Sequence, residues 1–168
     1  MTRLISIYKK LLGEFGCQNW WPVGNGFVPP EFEVCIGAIL TQNTSWNNVE
    51  KALELMKSRG LTNPLAVSTA CKEKLEQAIQ PSGFYRQKAE RLRVFSDFII
   101  GFGGFRAFSK RVTREQLLKL KGIGPETADS ILLYALGRPV FVIDAYTKRV
   151  FTRLGFCPEK YRQKYKGK

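Results

Sequence analysis

The segment from Leu120 to Asp144 joins a glycine turn to a single carboxylate. Its sequence is LKGIGPETADSILLYALGRPVFVID. Gly122 and Gly124 flank Ile123, so the backbone can bend sharply and approach a ligand closely without a Cβ in the way. A proline follows at the expected first position of a helix, where its missing N–H costs nothing. The N–H groups at such a helix start favour an anion, and phosphate is the obvious candidate.

Asp144 is the residue of this segment that could perform chemistry. It lies eighteen residues after Glu126 and is the only acidic residue between Asp129 and Glu159. A fixed carboxylate in a partly dry cleft can stabilise positive charge or orient a water molecule, and the preceding apolar residues 140–143 would limit its solvation. Asp144 is equally well placed to cap the next helix, and one residue can fill both roles. A phosphate grip and a lone carboxylate on one short unit indicate chemistry on a nucleic acid.

The composition agrees with a nucleic-acid partner and excludes several kinds of site. Lys and Arg number 27 against 14 Asp and Glu, which gives a net charge of +13 and a pI near 9.8. A basic domain of this kind passes the screen for nucleic-acid binders, although a solvated basic surface would look the same. The absence of histidine excludes Ser–His–Asp catalysis and most zinc sites. The cysteines lack C-x-x-C spacing, so no metal site is predicted; they are Cys17, Cys35, Cys71 and Cys157.

Helical patterns position these groups almost throughout the chain, so we predict an all-α fold. A stripe of apolar residues spaced by three and four predicts an N-terminal helix, and WPVGNGFVPP then interrupts the pattern. The next predicted helices span 31–40, 45–58, 64–70, 72–79 and 86–100, the last one ended by the glycines at 101–104. The hairpin helices follow at 113–120 and 125–136, and a final helix starts after Asp144. No apolar run is long enough to cross a membrane, and no secretory signal is present, which predicts a cytoplasmic protein.

Three motifs, in order, resemble the helix-hairpin-helix DNA glycosylases of the endonuclease III superfamily. LKGIGPETADSILLYA followed by FVIDAYTKRV matches the L-x-G-I/V-G hairpin with its spaced aspartate. IGAILTQNTSW, from Ile36 to Trp46, resembles the segment that supplies a glutamine to DNA. SGFYRQKAERL, from Ser82 to Leu92, is similar to the family's G-F/L/Y-Y-x-x-K-A helix start. The resemblance covers about residues 30 to 155.

The resemblance implies a six-helix barrel beside a second helical domain. Residues 30–136 would form the barrel, with the helix-hairpin-helix at about 113–136. Residues 1–29 would belong to the second domain, and 137–168 would carry the aspartate and begin a C-terminal part that is incomplete. Many members continue into four cysteines that bind a 4Fe–4S cluster. We therefore expect no cofactor in this chain, and a cluster only if a C-terminal extension is missing.

Glu126 separates branches of the family. Members that also cleave the DNA strand have a lysine here, which forms a Schiff base with the sugar. A glutamate cannot do so, so the resemblance implies a monofunctional enzyme that leaves an abasic site. Lys119 and Lys121 could substitute, but both precede the turn. A carboxylate in the first turn of a helix is also favourable on its own, by about 0.3–1 kcal/mol.

The resemblance assigns further residues to DNA and to a base pocket. Gln42 would fill the gap left by an extruded nucleotide, unless it only caps a helix. The expected DNA-binding set is Gln42, Lys121, Gly122, Ile123, Gly124 and Thr127. Tryptophan usually packs in a core, but aromatic faces also attract cationic alkylated bases, by about 0.5–2 kcal/mol. The expected pocket is Trp20, Trp21, Pro22 and Trp46, an arrangement similar to the bacterial 3-methyladenine branch.

The expected function is therefore base excision by a monofunctional N-glycosylase that acts on a flipped, alkylated base. Two alternatives stay open. One is an endonuclease III-like glycosylase for another lesion with weak strand-cleaving activity, and the other is a DNA-binding fragment without chemistry. The expected partner is double-stranded DNA with a damaged base, bound by a monomer without a membrane. The expected location is the nucleoid of a bacterial or archaeal cytoplasm.

Overall fold

The computed structural model describes residues 3–17, 21, 23–24 and 26–156, and within these ranges it contains helices and no strand. This confirms the all-α prediction. The α-helices are α1 (Arg3–Phe15), α2 (Pro30–Leu40), α3 (Trp46–Ser58), α4 (Pro64–Thr69), α5 (Lys72–Ile79), α6 (Tyr85–Gly101), α7 (Phe105–Arg111), α8 (Arg114–Leu118), α9 (Pro125–Ser130) and α10 (Ala145–Arg153). A 3₁₀ turn spans Gln80–Ser82, and a π-helical segment spans Ile131–Ala135. Among the described residues, no helix is both long and apolar enough to cross a membrane.

Two elements differ from the sequence prediction. The chain after the Gly103–Gly104 turn forms α7, which was not predicted, because Phe108 is completely buried and packs against Phe95 at 5.8 Å between ring centroids. The predicted helix 125–136 is not uniform, because its second half widens into the π-helical segment. π-helical segments are rare in proteins, and those that do occur are often found at functional sites.

The hydrophobic core lies between Phe27 and Ala135 and is centred on α2, α3 and α6. Helix α6 packs against α2, α4, α5 and α7, while α2 also contacts α3, α9 and the π-helical segment. The core thus brings the loop after α2 next to the hairpin formed by α8 and α9. Every strongly buried apolar side chain in the described residues falls in this part of the chain.

One lysine lies inside the core. The Lys88 side chain is 1% exposed, and its Nζ donates to the carbonyls of Leu40 at 2.8 Å and Ser82 at 2.6 Å. Burial, together with the positive charge of Arg91, lowers the pKa of Lys88 to about 8. The two hydrogen bonds hold the end of α2 against the turn before α6. They therefore fix the start of the loop that carries Gln42.

The two terminal helices, α1 and α10, lie outside this core. Helix α1 has no buried residue, and the only buried residue of α10 is Thr152. Arg3 joins them by donating to the carbonyl of Leu154 at 2.8 Å. An apolar groove of about 650 Å³ lies between them and reaches Asp144. The proposed division near residues 29 and 136 stays a prediction.

Candidate functional site: a glycine hairpin beside an acidic, aromatic cleft

The turn between α8 and α9 is fixed from both sides. Thr113 caps α8: its Oγ accepts from the Gln116 N–H at 3.3 Å, while the Gln116 side chain accepts from the Thr113 N–H at 2.9 Å. Ile123 is only 5% exposed and anchors the turn in the core. The Ile123 N–H donates to the carbonyl of Leu120 at 3.0 Å. Its side chain and amide are therefore engaged within the protein.

The two glycines of the turn have different roles. Gly122 has a φ of +85°, which only glycine adopts readily, and a Cβ there would lie 2.5 Å from Cδ of Arg91. Gly124 has a φ of −89° and open space around a would-be Cβ, so another residue would fit. Gly124 is the N-cap of α9, and Pro125 takes the first helical position as predicted. Helix geometry leaves the first N–H groups of α9 without an acceptor inside the helix, as an anion site requires.

Gln42 lies directly on this hairpin. Its Nε2 donates to the carbonyl of Gly122 at 3.0 Å and to Oγ1 of Thr127 at 3.0 Å. Its Oε1 accepts a hydrogen bond from Nη1 of Arg91. The structure thus brings together three residues of the expected DNA-binding set across 80 and 85 positions of sequence. Lys121 instead forms an exposed ion pair with Glu90 at 3.1 Å.

Asp144 lies at the start of α10 and caps it. Its Oδ1 accepts from the Thr147 N–H at 2.6 Å, and its carbonyl accepts from the Lys148 N–H at 3.1 Å. The capping role considered from the sequence is therefore present. The other carboxylate oxygen is not needed for that hydrogen bond. The residue lines the groove between α1 and α10 and is partly exposed.

The charge of Asp144 reaches two neighbouring side chains. Burial raises the pKa of Glu126, the negative charge of Asp144 raises it further, and Lys148 opposes the shift. Burial likewise raises the pKa of Tyr134, and Asp144 again adds to the effect. Glu126 occupies the first turn of α9, as its structural interpretation requires. Asp144 therefore interacts electrostatically with a second carboxyl group and with a phenol.

Three aromatic rings pack together beside α2, the start of α3 and the π-helical segment. The ring centroid of Trp21 lies 5.3 Å from that of Trp46, edge to face, and 5.4 Å from that of Tyr134. Trp21 rests on Gly37 of α2, where a Cβ would lie 3.1 Å from Cζ2 of the indole. The Trp46 Nε1 donates to Glu50 at 2.8 Å, which fixes its ring. The structure therefore brings Trp21 and Trp46 together, while Trp20 and Pro22 lie outside the described residues.

Three residues of this region had no role in the sequence analysis. Tyr134 joins the aromatic group because the π-helical segment carries it there. Phe84 is 65% exposed with a left-handed φ of 46°, in the turn that precedes α6. Arg91 connects Gln42 to the hairpin. Phe84 and Arg91 lie in the SGFYRQKAERL motif, so the sequence could have pointed to both residues. No feature of the sequence predicts the ring contact of Tyr134.

The described cysteines do not form a metal-ligand set. Cys35 is wholly buried in α2, and burial raises the pKa of its thiol. Cys17 and Cys71 are exposed, at the end of α1 and before α5. Among the described residues, no three Cys, Asp or Glu side chains are close enough to hold a metal ion. These residues do not fit an iron–sulfur cluster, and Cys157 lies outside the described ranges.

The proteins that are similar in sequence to this chain are DNA repair proteins. The profile of the HhH-GPD superfamily base excision DNA repair proteins matches residues 36–167. A protein of Methanocaldococcus jannaschii named as a DNA repair glycosylase is 46% identical over 163 residues, which cover 94% of this chain and 72% of that protein. Since the superfamily profile spans most of the chain, the family is established.

Two solved structures share the fold. The H. pylori 3-methyladenine DNA glycosylase bound to 1,N6-ethenoadenine matches with a TM-score of 0.80 and 37% identity, over 95% of this chain and 75% of its own. A trapped covalent complex of endonuclease III with DNA matches with a TM-score of 0.74 and 25% identity, over 99% of this chain and 79% of its own. The chain belongs to the HhH-GPD superfamily of base excision DNA repair proteins and is a DNA glycosylase of that superfamily.

Proposed function

We propose that this chain is a monofunctional DNA N-glycosylase that hydrolyses the glycosidic bond of a flipped, alkylated base. One observation carries the proposal: the negative charge of Asp144 adds to the effect of burial in raising the pKa of the Tyr134 phenol, and the Tyr134 ring belongs to one aromatic group with Trp21 and Trp46. A cationic purine is attracted both by aromatic faces and by negative charge. The structural similarity to a 3-methyladenine glycosylase supports the same class of substrate.

Asp144 would act on the sugar of the extruded nucleotide. Breaking the glycosidic bond builds positive charge on the sugar, which a nearby carboxylate stabilises. Water then adds hydroxide to C1′ and gives its proton to solvent or to the leaving base. The products are a free base and an abasic site. Trp20 and Pro22 would complete the pocket, as the resemblance implies.

The hairpin would hold the DNA backbone while Gln42 fills the gap. The N–H groups of Gly124, Glu126 and Thr127 start α9 and suit a phosphate oxygen, next to the glycine at 122 that lets the backbone approach closely. The side chain of Ile123 would support the turn from the core. Lys121 would contribute long-range attraction to DNA. Phe84 is an exposed aromatic side chain that could stack on a neighbouring base.

Glu126 makes strand cleavage unexpected. A carboxylate is no nucleophile for a Schiff base, and its raised pKa points to a partly desolvated acid beside Asp144. We propose that Glu126 stays a cleft-lining acid and takes no covalent part in the reaction. An endonuclease III-like activity on another lesion would need a lysine from elsewhere in the chain.

Base release from duplexes with 3-methyladenine tests the assignment to Asp144. Asp144→Asn keeps an oxygen that caps α10 at the Thr147 N–H, so the fold should persist while base release falls at least about 100-fold. The matched control is Asp97→Asn, which removes one negative charge at an exposed position of α6. Equal release by the wild type and Asp144→Asn would defeat the catalytic assignment. Tight binding without release by the wild type would favour the second candidate, a DNA-binding module without chemistry.

The proposed enzyme acts as a monomer on duplex DNA and uses water without a cofactor held by this chain. Its relatives include archaeal and bacterial proteins, and its place of action would be the nucleoid in the cytoplasm.

A further inference from the structure

We propose that Arg91 is a positioning residue that couples the insertion of Gln42 into DNA to phosphate binding at the hairpin. In the free protein the Arg91 guanidinium donates to the side-chain oxygen of Gln42. In the DNA-bound protein it would donate to a phosphate oxygen instead. The inference rests on the proposed function, because it assumes that Gln42 fills the gap in DNA.

The Gln42 side chain is fully engaged in the free protein. Its amide nitrogen donates to the Gly122 carbonyl at 3.0 Å and to Thr127 Oγ1 at 3.0 Å. Its amide oxygen accepts from Nη1 of Arg91. The hydrogen bond from Arg91 is the strongest of the three because its donor is charged. Gln42 can therefore reach a base stack only when something replaces these partners.

Arg91 lies beside the turn at which a DNA phosphate would bind. Its aliphatic stem covers Gly122 so closely that a Cβ there would lie 2.5 Å from Cδ and 2.8 Å from Cγ of Arg91. The guanidinium is thus held beside the turn to which we assign the DNA phosphate. Arg91 projects from α6, whose other face is locked in the core, so its backbone has little freedom to move.

No acidic side chain pairs with Arg91 in the part of the chain that the structure describes. The ion pairs found among the described residues join other groups, such as Arg114 with Asp129, and none involves Arg91. Its positive charge is felt by the buried Lys88. A guanidinium has five N–H donors, so one hydrogen bond to Gln42 leaves several for a second acceptor. A phosphate oxygen would satisfy both the charge and the spare donors.

These contacts give an exchange between two states. When a phosphate reaches the hairpin, Arg91 trades a neutral amide oxygen for an anionic group, which a guanidinium can hold through two parallel N–H···O hydrogen bonds. Gln42 then loses its charged partner and becomes available to the DNA. The gap-filling residue is thereby released only where the backbone is already gripped.

The test measures phosphate contact and Gln42 insertion separately. The probe is a duplex with a stable abasic-site analogue and 2-aminopurine as the opposite base. Anisotropy titrations between about 50 and 200 mM salt give the slope of log Kd against log salt, where one lost phosphate contact lowers the slope by about 0.9. The 2-aminopurine fluorescence reports whether a side chain enters the gap. Thermal melts of each variant establish that it is folded.

Arg91→Met should lower the salt slope by about 0.9 and also reduce the 2-aminopurine response. Arg91→Lys should restore the slope, because an ammonium still contacts phosphate, but only part of the response, since it lacks the fork geometry. Gln42→Ala should abolish the response and keep the wild-type slope. Arg106→Met is the control, because it removes a charge from an exposed position of α7.

Two results would overturn the coupling. One is an unchanged salt slope in Arg91→Met, and the other is a reduced slope with a wild-type 2-aminopurine response. Failure of the proposed function looks different: the wild type would then give no Gln42-dependent response, or would release no base.

Discussion

Gly122→Ala should be the most damaging small substitution in the hairpin, and Gly124→Ala is its matched control two residues away. Residue 122 has a φ of +85°, and holding a residue with a Cβ there costs about 1–2 kcal/mol. The new methyl group must also displace Arg91, because it would lie 2.5 Å from Cδ. Moving the guanidinium breaks its hydrogen bond to Gln42, a charged bond that contributes about 1.5–3 kcal/mol.

The two terms sum to a loss of about 2.5–5 kcal/mol in the free energy of unfolding, or roughly 5–20 °C in Tm for a chain of this size. At position 124 the φ of −89° and the open space predict a change within about 1 kcal/mol, and the extra methyl group could stabilise by restricting the unfolded chain. The assay is urea unfolding followed by circular dichroism. Equal losses at both positions, or no loss at 122, would refute the assignment of the tight approach to Gly122.

Three further predictions concern single side chains. The pKa of Lys88 is about 8 in the folded protein against an ordinary 10.5, so between these pH values the unfolded state binds more protons than the folded state. The stability of the wild type should therefore rise with pH in that window, by up to about 3 kcal/mol relative to Lys88→Met. A difference in urea midpoint between the two proteins that does not change with pH would contradict this prediction. The pKa of Glu126 is raised from 4.5, so ionisation of this side chain destabilises the fold. Glu126→Gln should therefore unfold at a higher urea concentration than the wild type at pH 7, but not at pH 3. A difference in urea midpoint that is the same at both pH values would contradict the desolvation of Glu126. Phe84→Ala should weaken binding to abasic DNA by about 1–3 kcal/mol with little effect on Tm, whereas unchanged affinity would leave Phe84 without a stacking role.

Local signals made much of the helical framework predictable. Proline at the first position of α4 and α9, and threonine as the cap of α8, place helix starts where side-chain chemistry requires them. The cap at Asp144 is a local feature of the same kind. The sequence motifs also placed Gln42 and the hairpin in one site before any contact was known.

The features that the sequence does not predict depend on contacts between residues that are distant along the chain. Helix α7 exists because Phe108 fills a core position among other aromatic rings, which no local pattern of FRAFSKR reveals. The π-helical segment and the ring contact between Tyr134 and Trp21 depend on packing against α2. Burial of Lys88 opposes its usual preference, and only the carbonyls of Leu40 and Ser82 make it tolerable.

The most direct test of the account compares strand integrity with base release on the same DNA. Duplex containing 3-methyladenine is incubated with the wild-type chain, and samples are run with and without alkali and after borohydride reduction. We expect strand breaks only after alkali and no covalent adduct, because Glu126 replaces the lysine that would form a Schiff base. An adduct, or breaks without alkali, would contradict base removal by hydrolysis.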